Sequence, residues 1–169
     1  FENGEVDAIE QISSQYFGHL NEYLNSFVGG GIMFLWINQQ GTSPETAALL
    51  SNQNFRQALN YGFDRSATVN AVNPGYKAYN RLVDSNFAGP DGGKFVDEYP
   101  VETVPLSGDV DKAKEYLAAA MEELGYSDVS QLPQLELITW DTSEQKLLLE
   151  TIIDQWKQNL GLENIQLTQ

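Results

Sequence analysis

Between Asp109 and Gln169 the sequence passes from helix to strand twice over, and this order limits the possible folds more than any other feature. In DVDKAKEYLAAAMEELG, the residues Val110, Ala113, Leu117, Met121 and Leu124 make an apolar stripe at helical spacing. Asp109 stands where a cap is needed and Gly125 where the helix must stop. QLELITW reads as a strand. Asp141 or Thr142 then caps SEQKLLLETIIDQWKQNLG, whose row Leu147, Leu148, Ile152 and Trp156 is expected to face a sheet, and NIQLT closes as another strand. A strand, a helix of this length and a second strand have the proportions of a parallel crossover.

The first part of the chain is consistent with the same class. VDAIE alternates as a short strand does, and Ile12, Tyr16, Leu20 and Leu24 recur four apart on one helical face. Gly29 to Gly31 break the chain before IMFLWIN, a nearly continuous apolar run that predicts a strand buried on both faces. After a loop, GTSPET, the stretch SNQNFRQALNYGFD places Phe55, Leu59 and Phe63 four apart, with Ala58 and Gly62 on the adjoining row. Such small residues predict a helix packed closely on a neighbour. Asp64 is placed to cap a second short helix, RSATVNAV, which Asn73-Pro74-Gly75 ends. Residues 74–108 lack periodicity and hold Pro74, Pro90, Pro100 and Pro105, yet Tyr76, Tyr79, Phe87, Phe95 and Tyr99 argue for an ordered, packed excursion. Strand–helix–strand, then helices, then strand–helix–strand is an α/β order.

Composition removes several functional classes. The chain has no cysteine, which excludes thiol catalysis, disulfide scaffolds and zinc ribbons. Its net charge of −15, from 24 acidic residues against 9 basic, repels phosphate backbones and anionic membranes, so no nucleic-acid partner is expected. No apolar run has the length of a membrane span. The single histidine, His19, lies on a predicted helix and reads as a surface residue. There is no GxSxG elbow, Walker loop or HExxH. Gly29 to Gly31 precede a strand, whereas a phosphate cradle follows one. The pairs Glu122/Glu123 and Asp109/Asp111 sit on helix ends, and Asp91-Gly92-Gly93 lacks the alternating acids of a calcium loop. The expectation is a protein without catalytic residues, metal or cofactor.

One stretch is specific. NFRQALNYGFDRSATVNAV resembles the motif "vRqAlnyaiDReaiv" of the large peptide-type solute-binding proteins, the family that binds oligopeptides, dipeptides and nickel for ABC importers. GEVDAIEQIS is similar to the family's upstream "G-x-vD" segment, and IMFLWINQ to its strand ending in Asn that crosses between lobes. DVDKAKEYLAAAMEELGY, LELITW, SEQKLLLETIIDQWKQNLGL and NIQLT follow in the family's order and spacing.

The resemblance implies a periplasmic-binding-protein-like fold of type II, here a partial lobe with a mixed sheet flanked by helices. Residues 1–40 would end the first-lobe segment and form the hinge-crossing strand; residues 41–169, including the irregular loop 74–108, would belong to the second lobe. On this view the first lobe's pocket wall, the signal peptide and the anchor of the full-length parent lie outside the chain. The parent would be a monomer, extracellular and membrane-anchored or else periplasmic, pairing with a membrane permease and capturing a peptide ligand. By position, Trp36, Asn38, Asn73, Tyr79, Asn80, Trp140, Asp141 and Lys146 are the candidate ligand contacts, Asp141 for an amine and Lys146 for a carboxylate. Arg56, Asn60, Tyr61 and Asp64 of the motif read as structural instead. The alternatives are another solute (a nickel chelate, an oligosaccharide or a peptide pheromone), a small hydrolase, or a structural surface module. A single histidine argues against a direct nickel site.

Overall fold

Capping chemistry sets most of the helix boundaries. The computed structural model describes residues 2–9, 16–23, 25, 31–73 and 75–169, without the side chains of Phe17, His19 and Asn21. Near the start, α1 (Phe17–Leu20) runs into a 3-10 turn, Asn21–Tyr23. Ile12 and Leu24 of the predicted helical row, Gly29, Gly30, and the side chain of His19 lie outside what is described. Val6 to Ile9 form no strand.

Ser43 opens α2 (Pro44–Ser51) by accepting from the Thr46 amide, with Pro44 in the first turn where its missing N–H costs nothing. GTSPET is therefore half loop and half helix start. Asn52 both ends α2 and caps α3 (Gln53–Tyr61) by accepting from the Phe55 amide. Asp64 caps α4 (Arg65–Val72) as the sequence predicts. The excursion that follows contains only one short helix, α5 (Phe95–Glu98), and an isolated bridge between Ala88 and Lys94. Within it Phe87 meets Phe95 edge-on, Phe95 stacks on Tyr99, and Arg81 donates to the Val96 carbonyl, so its own aromatics help order it. Glu98, accepting from the amides of Asp91 and Gly93, holds the Asp-Gly-Gly turn.

Asp109 caps α6 (Val110–Leu124), and Gly125 ends it in the left-handed conformation. A 3-10 turn, Val129–Gln131, leads to β1 (Leu135–Ile138), then α7 (Ser143–Leu160), then β2 (Ile165–Thr168). β1 and β2 pair in parallel with Leu135 opposite Ile165, which makes β1–α7–β2 the expected crossover. Of the mixed sheet, this parallel pair is the part found among the described residues.

The core lies where α3, α6 and α7 meet the sheet. Phe55, Ala58 and Leu59 from α3 pack on Ala113, Leu117 and Ala120 from α6, and the small alanines let the two helices approach closely. On α7 the buried face is Leu149, Ile152, Ile153, Trp156 and Leu160. Leu147 is exposed and Leu148 only half-buried, so the row sits later than the sequence suggests. In the LLL run, only the leucine in phase with Ile153, Trp156 and Leu160 turns fully inward.

The larger correction concerns IMFLWIN. Residues 32–38 are not a strand: among the described residues they pair with no other strand, and Trp36 is 83% exposed. Apolar continuity marks a strand only where a sheet lies on both sides to bury it.

Trp156 shows how closely packing and hydrogen bonding are joined. Its ring is buried, it meets Phe63 edge-on, and its Nε1–H donates to the Leu59 carbonyl at 2.9 Å. Trp156→Phe keeps most of the apolar bulk but leaves that carbonyl without its donor, a loss of about 1–3 kcal/mol in denaturant unfolding. Gly108 has φ +71, and a Cβ there would stand 2.6 Å from the Phe63 carbonyl oxygen. Gly108→Ala is expected to lower stability by about 2 kcal/mol, read from the shift in the unfolding midpoint at unchanged slope.

Candidate functional site

In an open α/β layer the carboxyl ends of parallel strands are where ligands are met, because the loops there are free to diverge. The last inter-strand bond, Thr139 N–H to the Thr168 carbonyl, fixes this end of β1. Beyond it the chain turns into α7. Thr142, not Asp141, is the cap: its hydroxyl accepts from the Gln145 amide at 3.2 Å. Asp141 is thereby left exposed with its carboxylate uncommitted to the helix, beside Trp140, which is 76% exposed. One turn on, Lys146 meets Glu150 at 3.9 Å, both about half exposed. A surface pair of that length contributes little, so the ammonium remains available to a ligand.

Asn73 reaches the same place from α4. It ends that helix and is buried, its Nδ2 donating to Glu144 Oε1 at 2.7 Å and its Oδ1 accepting from the Gly75 amide. The close of α4 is thus tied to the first turn of α7. Tyr76 lies against the same carboxylate; burial first, then the Glu144 charge and hydrogen bond, hold its phenol above the usual tyrosine range. From the other side, Gln145 Nε2 donates to Met33 Sδ at 3.7 Å, which brings the segment carrying Phe34 and Trp36 alongside α7.

The structure therefore gathers Asn73, Trp140, Asp141 and Lys146 at one end of the molecule, with the Trp36 segment adjoining. Asn38 is exposed and forms the turn into α2, its Oδ1 accepting from the Gln40 amide. Tyr79 and Asn80 are not part of the group. Tyr79 donates to the Val83 carbonyl and Asn80 to the Val104 carbonyl, which folds the excursion back on itself, and Asn80 lines a separate polar cleft. Glu144 and Tyr76 escaped the sequence reading. An acid in the first turn of a helix is ordinarily a partner for the helix dipole, and nothing local links it to an asparagine at the end of a different helix.

Three comparisons bear on this arrangement. Residues 1–167 match the family model described as bacterial extracellular solute-binding proteins, family 5, middle. The oligopeptide-binding protein OppA of Bacillus subtilis is 31% identical over 114 residues, which is 68% of this chain and 20% of that protein. Among solved structures, the pheromone receptor PrgZ, described with its mode of peptide binding, superposes with a TM-score of 0.74 at 26% identity over 93% of this chain and 30% of its own. Peptide-bound OppA of Listeria monocytogenes has a TM-score of 0.58 at 24% identity, over 71% of this chain and 22% of its own, and shows the fold alone. The chain spans about a fifth of the length of the curated relative it matches.

Glu144→Gln tests the join between α4 and α7. Its amide oxygen can still accept from Asn73, but the negative charge beside Tyr76 is gone, so phenolate formation becomes easier. The Tyr76 pKa should fall toward the ordinary tyrosine range, followed by NMR of ring-labelled tyrosine, with the Asn73 side-chain amide signal retained.

Proposed function

The chain belongs to the bacterial extracellular solute-binding proteins of family 5, and from that premise we propose that it forms one wall of a site that captures oligopeptides for an ABC importer, without chemical change to the ligand. The observation that carries this reading is the gathering of Trp140, Asp141 and Lys146 on the open carboxyl end of β1, above an Asn73–Glu144 tie that holds them in place. A carboxylate and an ammonium one helical turn apart suit the two kinds of charge a peptide carries, and an exposed indole offers area to a side chain at low entropic cost. Within the parent protein, the remaining wall, the membrane permease and an anchored position outside the cell are parts of the same proposal. No described helix is long and apolar enough to cross a membrane.

A second reading, capture of a peptide pheromone, draws on the structural likeness to a pheromone receptor. It uses the same groups and differs in ligand length and sequence.

The full-length protein containing this chain, purified from its host, should carry peptides detectable by native mass spectrometry. A single defined sequence would favour the pheromone reading and a mixture the nutrient one. Asp141→Ala and Lys146→Ala should each weaken calorimetric affinity for such a peptide about tenfold or more at unchanged melting temperature. Both residues lie at the surface, so a folding defect would not mimic the effect. Unchanged affinity in both variants removes this site from the proposal, and turnover of ester or glycoside substrates by the empty protein removes the function.

A further inference from the structure

Residues of the motif around α3 and α4 that take no part in the α7 site share a surface. Asn60, Tyr61 and Arg65 line a polar cleft of about 240 Å³ between α3, α4, α6 and the end of the long excursion. Gln57, Asn80 and Lys112 complete its walls, and Glu102 stands in it as the one carboxylate.

The charges here are unusual for this chain. Arg65 donates through one terminal nitrogen to the Asn60 carbonyl at 3.0 Å and through the other to Asn60 Oδ1, and its guanidinium lies 4.4 Å from the centre of the Phe63 ring. A guanidinium has five N–H donors; these contacts use two. No described carboxylate forms an ion pair with it, although acids outnumber bases 24 to 9 in the sequence. Burial lowers the pKa of Arg65, but a guanidinium keeps its charge in proteins. Lys112 holds its ammonium 4.8 Å from the centre of the Tyr61 ring, and Tyr61 first, with Glu102 among the lesser contributors, keeps it protonated. Two cations without ion-pair partners thus line one small cavity, in a molecule with ample acid to neutralise them. Asn80 commits its Nδ2 to the Val104 carbonyl, which leaves its carbonyl oxygen for a ligand donor.

We infer that this cleft is a second binding site, for a zwitterion of amino-acid size, with its carboxylate against Arg65 and Lys112 and its ammonium toward Glu102. A carboxylate can accept from the guanidinium N–H groups that the two Asn60 contacts leave unused. Inorganic phosphate fits less well, because its second charge would face Glu102 and it has no cation of its own to offer there. The cavity lies below the range of about 300–1,000 Å³ usual for drug-sized ligands, which selects a small solute over a peptide. The site shares no residue with the Asn73–Lys146 group, so it stands independently of what binds there.

Isotope-labelled chain titrated with L-glutamine, and separately with inorganic phosphate, tests this by NMR. Glutamine should move the Asn60, Asn80, Thr103 and Lys112 signals saturably, half-way at a concentration on the order of 1 mM. Arg65→Gln should weaken this about tenfold or more. That substitution also removes a bond to the Asn60 carbonyl, so Glu102→Gln, at an exposed position, serves as the deciding variant, with Lys112→Gln, which gives up its contact with the Tyr61 ring, beside it. Each should weaken glutamine binding severalfold, the Glu102→Gln spectrum otherwise unchanged. The inference fails if glutamine causes no saturable shift, if the shifts appear at Trp140 and Lys146 instead, if phosphate binds and glutamine does not, or if Lys112→Gln and Glu102→Gln both bind as the parent does.

Discussion

The break between α3 and α4 is the constraint on which the rest of the structure depends. A helix that ends inside a protein leaves carbonyls without partners, and each must be satisfied or the end cannot be buried. Here four carbonyls are met, three of them from distant parts of the chain. Leu59 is met by the indole of Trp156, Gly62 by the side-chain amide of Asn159, Asn60 by Arg65, and Tyr61 by the backbone amide of Asp109. The amide of Asp64 is taken by Gln155, whose other end donates to Thr68. Two polar residues and one tryptophan on α7, and the cap of α6, therefore close the same junction. The junction in turn sets how α4, α6 and α7 lie relative to one another.

That arrangement accounts for the site. Once Gln155 and Asn159 fix α7 against the start of α4, the far end of α4 is carried to the first turn of α7, where Asn73 finds Glu144. The bond between them is a consequence of the junction some three helical turns away. The candidate contacts then stand on a framework whose polar groups are already satisfied, as a site must if its side chains are to keep one geometry. Asp141 is left out of the capping because Thr142 has taken it over, and Lys146 meets only Glu150, at 3.9 Å on the surface.

What the sequence revealed follows the range of the interaction concerned. Caps and stops are local, so Asp64, Asp109 and Gly125 could be read directly from their neighbours, and each does its expected work. The crossover was legible too, because a strand, a long helix and a strand leave few chiral choices. The apolar run at residues 32–38 was misread as a buried strand because burial of a strand is decided by other strands, which no local pattern records. The phase of α7 slipped for a related reason: three consecutive leucines fit more than one helical face, and only packing into the core chooses Leu149. Asn73 is buried with its amide committed to Glu144, a partner 71 positions away that no local pattern could reveal.

The arginines make the electrostatic logic plain. In a chain of net charge −15, acids are abundant, and yet Arg56, Arg65 and Arg81 all donate to backbone carbonyls. Arg56 satisfies Leu50 and Ser51 at the close of α2, and Arg65 satisfies Asn60 at the close of α3, the ends where a positive charge also meets the negative pole of the helix. A carbonyl at a buried helix end has no substitute for a protein donor, whereas a surface carboxylate is satisfied by water at no cost. Arg56 and Arg65 are therefore committed to helix-end carbonyls, while acids such as Asp64 and Asp109 cap helix starts. The same choice leaves Arg65, a residue recruited to finish a helix, with unused N–H donors on the wall of a polar cleft.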